Sequence, residues 1–400
     1  MDPAQFLTAP RVTIVAGKGG VGKTTVTATL AMAAAHLGLR ALVIEVEGKS
    51  GLPALFGKER LDYEEQVLFT ADGPHGAGEV RARTLTPDES LVEWLRDHGL
   101  KRISKRLGES GAIELIATAT PGIKDVLILG KVKQLESRGA ADVIIVDAPA
   151  AGHAITFLSS AQGMLDAVTV GPIEAQAREV RNLLTDASRC QVVLVTLPEE
   201  TPVNEVIETA YSLEDRIGIK LGPVVVNGIY PDLPGLDQSP TAAANAEEVE
   251  LSTELAAALE AAATFRRDRQ DLQRHQLSRL AKDLPLDQVR LPFVFRSDLG
   301  LDSLRALSES LVEQLRARLG ELAAPRPLRQ PRAASGVAYA PFTVRSYPEG
   351  GLIPPHCELE QLRRESYQDL LPQICTDTLL SFLVMVSAPE AGGDLVVYDL

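Results

Sequence analysis

Val12-Thr13-Ile14-Val15-Ala16-Gly17-Lys18-Gly19-Gly20-Val21-Gly22-Lys23-Thr24-Thr25 decides the fold of this 400-residue chain. An apolar, β-branched run feeds a glycine loop, which opens directly into the Ala-rich segment Thr25 to Leu37 and stops near Gly38. Gly17 to Thr24 satisfies G-x-x-x-x-G-K-[ST] with a strand before it and a helix after it, the context in which that pattern is a phosphate-binding loop. Glycines let successive backbone N–H groups converge on an anion, and the helix N-terminus adds its positive end. Lys23 is placed to reach the β/γ-phosphates and Thr24 to hold Mg²⁺. The nucleotide cradle is therefore Gly17, Lys18, Gly19, Gly20, Val21, Gly22, Lys23, Thr24 and Thr25.

Working outward, Ala41 to Gly48 is a short buried strand carrying Glu45 and Glu47 at its end, spaced from the loop as in a βαβ unit. Acids at the carboxyl end of a parallel strand lie where open α/β sheets bind their ligands. Ala141 to His153 is a second such element, four apolar residues ending in Asp147, which resembles a Walker B strand. An acid closing a buried strand is costly unless it meets a cation, so Asp147 and Thr24 are the expected Mg²⁺ residues. Val168-Thr169-Val170-Gly171-Pro172, Gln191 to Pro198, Leu221 to Gly228 and Val289 to Phe295 read as further strands. Ile173 to Ser188, Glu199 to about Ile217, and Leu301 to Leu319 read as helices, and Asp72 to Gly78 as a loop. Apolar residues spaced at three and four make residues 87–138 a helical insertion, in which Trp94, Leu95, Ile113, Leu115 and Ile116 read as packing core. Residues 241–284 read as one long helical stretch with an interrupted leucine stripe, packing on the insertion or on a partner.

Lys18 is not needed to cradle phosphate within one chain. The sequence K-G-G-V-G-K-T at residues 18–24 resembles the deviant loop of the ParA, MinD, ArsA and nitrogenase-iron-protein group of ATPases. That resemblance implies a dimer in which Lys18 reaches the nucleotide of the partner subunit. Glu45-Val46-Glu47-Gly48-Lys49-Ser50-Gly51 is similar to the D-x-D-P-A-H-S segment of the ArsA family, which comprises arsenite-efflux and tail-anchored-protein targeting ATPases. By that resemblance Glu47 takes the place of the carboxylate that orients the attacking water, one methylene longer. Asp147, Gly152 and His153 match the family's D-T-A-P-T-G-H-T switch, with the proline one place early at Pro149. The implied γ-phosphate switch is thus Glu45, Glu47, Asp147, Gly152 and His153. Thr196 to Glu205, T-L-P-E-E-T-P-V-N-E, is also ArsA-like, and the family places an adenine-reading Asn where Asn227 stands. The resemblance further implies a Mg-ATP-dependent dimeric ATPase, as a homodimer or with a paralogous subunit. Its insertion would carry the surface for a membrane-protein client or a transporter.

Composition limits the alternatives. A net charge of −14 argues against a sequence-independent nucleic-acid surface, the one local basic run being Lys101 to Arg106. A ParA/MinD-like positioning ATPase should show a basic DNA face or a terminal membrane helix, and neither is visible. Cys190, Cys357 and Cys375 form no C-x-x-C and none lies in the insertion, so the zinc staple, iron–sulfur cluster and clustered-thiol metalloid site known among the ATPases this chain resembles are not expected. With no signal peptide and no span-length apolar window, the expected location is cytoplasmic, reaching a membrane only through a partner. A nucleotide-binding switch with little hydrolysis is the other alternative, because Glu47 replaces an Asp.

Past residue 324 the chemistry changes. Residues 325–337 are a Pro/Arg-rich linker, and residues 338–400 form a series of short apolar runs divided by Gly and Pro. The tail resembles the front half of a 2-oxoglutarate-dependent Fe(II) oxygenase, a partial jelly roll in which His356 and Glu358 would be the H-x-[DE] iron ligands. No second ligand histidine follows before Leu400. Iron and 2-oxoglutarate therefore enter only if the piece is completed elsewhere, and no oxygenase activity is expected from this chain. The expected class is α/β: a P-loop NTPase over residues 1–324, its mostly parallel sheet flanked by helices, with a helical insertion and a small β-rich C-terminal segment.

Overall fold

The computed structural model describes residues 3–46, 51–73, 76–97, 122–296, 298–322, 381–386 and 394–399. The chain divides into two compact units: Leu7–Gln314, and Met1–Phe6 with Leu315–Leu400. After α1 (Pro3–Thr8), β1 (Val12–Gly17) leads through the glycine loop to α2 (Lys23–His36) and β2 (Arg40–Val46). Next come α3 (Leu52–Leu55), β3 (Gln66–Gly73), β4 (Gly76–Leu85), α4 (Pro87–Asp97), α5 (Ile123–Ser137), β5 (Val143–Ala150), α6 (Ala151–Ala167) and α7 (Pro172–Thr185). Then follow β6 (Cys190–Thr196), α8 (Glu200–Ile217), β7 (Val224–Ile229), α9 (Pro240–Ala246), α10 (Thr253–Asp283), β8 (Gln288–Pro292) and α11 (Leu301–Leu322). In the second unit β9 (Ser381–Val386) and β10 (Asp394–Asp399) pair antiparallel.

The large sheet has the order β3-β4-β2-β5-β1-β6-β7-β8, parallel throughout except for the β3–β4 pair. Every residue of β1 is buried, so its sequence is apolar but for Thr13 rather than alternating, as a sheet covered on both faces requires. The chain runs from β1 outward to β2 and the hairpin, then returns through β5 to the other side of β1. The glycine loop consequently opens at the carboxyl ends of β1, β5 and β6, where strand order reverses. Helix α2 is buried from Val26 to Ala35 without interruption. Its alanines and threonines let it lie close against the sheet, and a helix apolar on every side can only be a core element.

Four readings from sequence are corrected. The segment 72–78, expected as a loop, closes an antiparallel hairpin that widens the sheet by two strands; its small and polar residues hid a β pattern that only ladder pairing with β2 reveals. Val168 to Pro172, expected as a strand, is not one. Val168 N–H still bonds the Met164 carbonyl, Val170 is 79% exposed, and β5, β1 and β6 leave no place between them for another strand. Residues 241–284 are two helices, α9 and α10, broken near Glu248, which has φ +54°. Along α10 only the C-terminal part of the stripe, Leu277 and Leu280, is buried, while Leu255, Leu259, Phe265 and Leu272 face solvent. Finally, the strand expected to run to Phe295 ends at Pro292. Of the insertion, α4 and α5 are described; Ile113, Leu115, Ile116 and the basic run at 101–106 lie outside the described residues.

Gly78 marks the closest approach of β4 to α2: a Cβ there would stand 2.0 Å from the Ala35 carbonyl oxygen. Gly78→Ala is therefore expected to destabilise the fold by about 1–3 kcal/mol, read as a lowered denaturant midpoint at unchanged slope.

Candidate functional site

The loop is shaped by contacts that allow only glycine at two positions. Gly17 pairs with Val195 on β6, and a Cβ on it would lie 2.4 Å from the Val195 carbonyl oxygen. Gly22 caps α2 at φ +88°, and a Cβ there would meet Asn227 Nδ2 at 2.3 Å. Asn227, on β7, donates from that same Nδ2 to the Val21 carbonyl at 3.0 Å. The structure thus brings Asn227 onto the floor of the loop, beside the start of α2.

Lys23 opens α2 and donates from Nζ to the Lys18 carbonyl at 3.0 Å. Burial lowers its pKa, and the nearby negative charge of Asp147 opposes that shift. Thr24 follows, and its hydroxyl donates to Asp147 Oδ2 at 2.8 Å. Asp147 ends the apolar run of β5 in register with Val15 of β1 and Glu45 of β2, and is only 6% exposed. Burial raises its pKa and the charge of Glu45 adds to this, against the Thr24 and Thr27 hydroxyls and the charge of Lys23. Its second oxygen, Oδ1, is buried and makes no well-aligned hydrogen bond, the Thr27 hydroxyl being close enough to act on the carboxylate. Glu45 is itself buried and accepts from the Thr84 hydroxyl at 2.6 Å.

One hydroxyl and one carboxylate with an unsatisfied oxygen form an all-oxygen donor set, suited to a small hard cation whose remaining ligands are phosphate oxygens and water. Among the described residues no group of three or more His, Cys, Asp or Glu could hold a metal ion by itself. Gly152 and His153 fall in the first turn of α6, directly after β5, and both are exposed. Glu47, His356 and Glu358 lie outside the described residues.

Two features went unread in the sequence. Lys18 Nζ forms an ion pair with Glu205 Oε1 on α8 at 2.5 Å. Beyond Asn227, the chain leaving β7 and β8 gathers Tyr230, Phe293 and Phe295, with ring centroids 4.7–5.2 Å apart. The Arg266 guanidinium stands 5.2 Å from the Phe295 ring centroid and 5.6 Å from that of Tyr230. Gln273 pins this turn, accepting from Tyr230 N–H at 2.9 Å and donating to the Gly228 carbonyl at 3.0 Å. Aromatic residues make up only 4% of the sequence, and their recurrence at three positions just past two strand ends was the available signal.

Comparison with known proteins agrees with this architecture. Residues 10–170 match the family described as anion-transporting ATPase, and residues 301–400 match that of the carrier-protein-independent halogenase WelO5. The second match falls on the oxygenase-like tail and takes in α11. ATPase BagA of Mycobacterium tuberculosis is 31% identical over 328 residues, covering 77% of this chain and 94% of that protein. The arsenical pump-driving ATPase of Escherichia coli is 26% identical over 245 residues, 56% of this chain and 40% of that one. The septum site-determining protein MinD of Synechocystis is 28% identical over 231 residues, 55% and 75% respectively. Similarity sustained along almost the whole of a relative, on a sheet whose central strand delivers a K-G-G-V-G-K-T loop, places the chain in the ArsA family: it is a P-loop ATPase.

Proposed function

We propose that the chain is a Mg-ATP-driven dimeric switch. ATP sits on the amides of residues 17–25, Thr24 and Asp147 hold Mg²⁺, and Lys23 neutralises the β/γ-phosphates. Lys18 completes the site of the partner subunit, an identical chain or a paralogue. Glu47 orients the attacking water, and Gly152 and His153, beginning α6 where β5 ends, relay loss of the γ-phosphate. Asn227 recognises the base, next to the Tyr230, Phe293 and Phe295 cluster. The observation that carries this reading is the Thr24–Asp147 contact, with its buried, unsatisfied carboxylate oxygen beside a partly desolvated lysine.

Residues 1–324 make up the ATPase, 325–337 the linker and 338–400 a tail that resembles part of an Fe(II) oxygenase. The insertion, 87–138, presents the client or transporter surface, and the protein works in the cytoplasm. No helix among the described residues is long and apolar enough to cross a membrane.

Lys18→Ala is expected to keep nucleotide binding within about threefold, since the loop amides stay in place and only one partly exposed charge is removed, and to lose ATP-dependent association. Molar mass by light scattering, with and without Mg-ATP, checks this. An unchanged dimer would overturn the role given to Lys18.

A further inference from the structure

The lysine that should leave its own subunit is tied down within it. Lys18 Nζ lies 2.5 Å from Glu205 Oε1, and the two side chains are 39% and 36% exposed. Glu205 is firmly mounted: α8 is anchored by the buried Val203, Val206, Ala210 and Leu213, and the turn leading into Glu205 is fastened to α10 at two points. Arg279 donates to Asn204 and Arg269 pairs with Glu199. The backbone of Lys18 is held too, because its carbonyl accepts from Lys23 Nζ.

We propose that Glu205 is a positioning residue that parks Lys18 within its own subunit, so that the resting chain cannot complete a second nucleotide site until nucleotide has bound to its own. This rests on the shared-site reading and adds its regulation. Phosphate arriving in the cradle competes with the Lys18 carbonyl for Lys23, which releases the backbone of the residue Glu205 is holding. A half-exposed ion pair is weak, of the order that a single new phosphate contact can replace, so the parked state is reversible.

The test uses the full chain with a non-hydrolysable ATP analogue and Mg²⁺, reading self-association by light scattering across a nucleotide titration. Glu205→Gln keeps the shape and removes the charge, and is expected to lower the nucleotide concentration at half-association by about threefold, the scale of one exposed pair. Glu205→Asp, which keeps the charge, should return most of the way to wild type; a merely structural contact would not separate the two. A Glu205→Gln midpoint equal to or above wild type, with Lys18→Ala abolishing association, overturns the parking role and leaves the shared site standing. If Lys18→Ala associates normally, the shared site falls and the parking role with it. Thermal melts of each variant without nucleotide verify that the compared chains are folded.

Discussion

Lys23→Ala is expected to lower phosphate release from ATP by about two to three orders of magnitude, the usual loss when one preorganised charge is removed from a transferring phosphoryl group. The geometry argues for an effect of that size. Lys23 Nζ reaches only as far as the Lys18 carbonyl, so its charge is compensated by a single backbone oxygen and, at longer range, by Asp147. Burial makes that charge costly in the empty cradle, and the triphosphate is what offsets it. The folded chain should tolerate the change, because alanine removes the desolvation cost along with the ammonium. A release assay comparing wild type with Lys23→Ala also separates hydrolysis from a switch with little turnover, since equal release from both chains would leave only background.

Asp147→Asn should reduce Mg-dependent turnover by a similar two to three orders of magnitude, by about the same electrostatic argument. It should also have an opposite effect on the empty protein. The pKa of Asp147 is raised, chiefly by burial with Glu45 adding to it, so the ionised form is disfavoured in the fold relative to the unfolded chain. For an acid shifted in that direction, stability is lost as pH rises through the titration. Near neutrality the ionised carboxylate therefore weakens the empty fold. Asn carries no charge, so the variant without Mg²⁺ should melt at or above wild type. Mg-ATP should then raise the melting temperature of wild type and leave the variant nearly unmoved. Thermal shift with and without Mg-ATP measures both halves; a variant that melts lower when empty yet gains as much from Mg-ATP would contradict the assignment.

The parts of the fold legible in the sequence were those whose cause is local. Val12 to Val15 and Val143 to Val146 are buried on both faces, so they are written as apolar runs broken only at Thr13. The loop between β1 and α2 needs glycine at Gly20 and Gly22 for their positive φ, a local demand, although Gly17 and Gly22 also answer to Val195 and Asn227 on distant strands. What could not be read depends on neighbours. The β3–β4 hairpin is mixed in polarity because it lies at the sheet edge, and its turn resembles any glycine-rich loop. Val168 to Val170 has strand composition but no free strand to pair with. The stripe of α10 is periodic along its length although only its C-terminal part meets the body. At the site, Thr24 and Asp147 announced themselves through motif spacing, whereas Glu205 and Lys18 are 187 positions apart with no pattern linking them.

The WelO5-like match spans residues 301–400, where the described β9 and β10 form a two-stranded antiparallel ladder. The account of the nucleotide site does not draw on it. Its central claim is that the loop from Gly17 to Thr25 holds magnesium-bound ATP. Equilibrium titration of the purified chain with a fluorescent ATP analogue tests that most directly. Saturable binding at one nucleotide per chain, weakened when Mg²⁺ is chelated and lost in Lys23→Ala, is the predicted result. Absence of saturable binding with Mg²⁺ present, or undiminished binding by the Lys23→Ala chain, would contradict it.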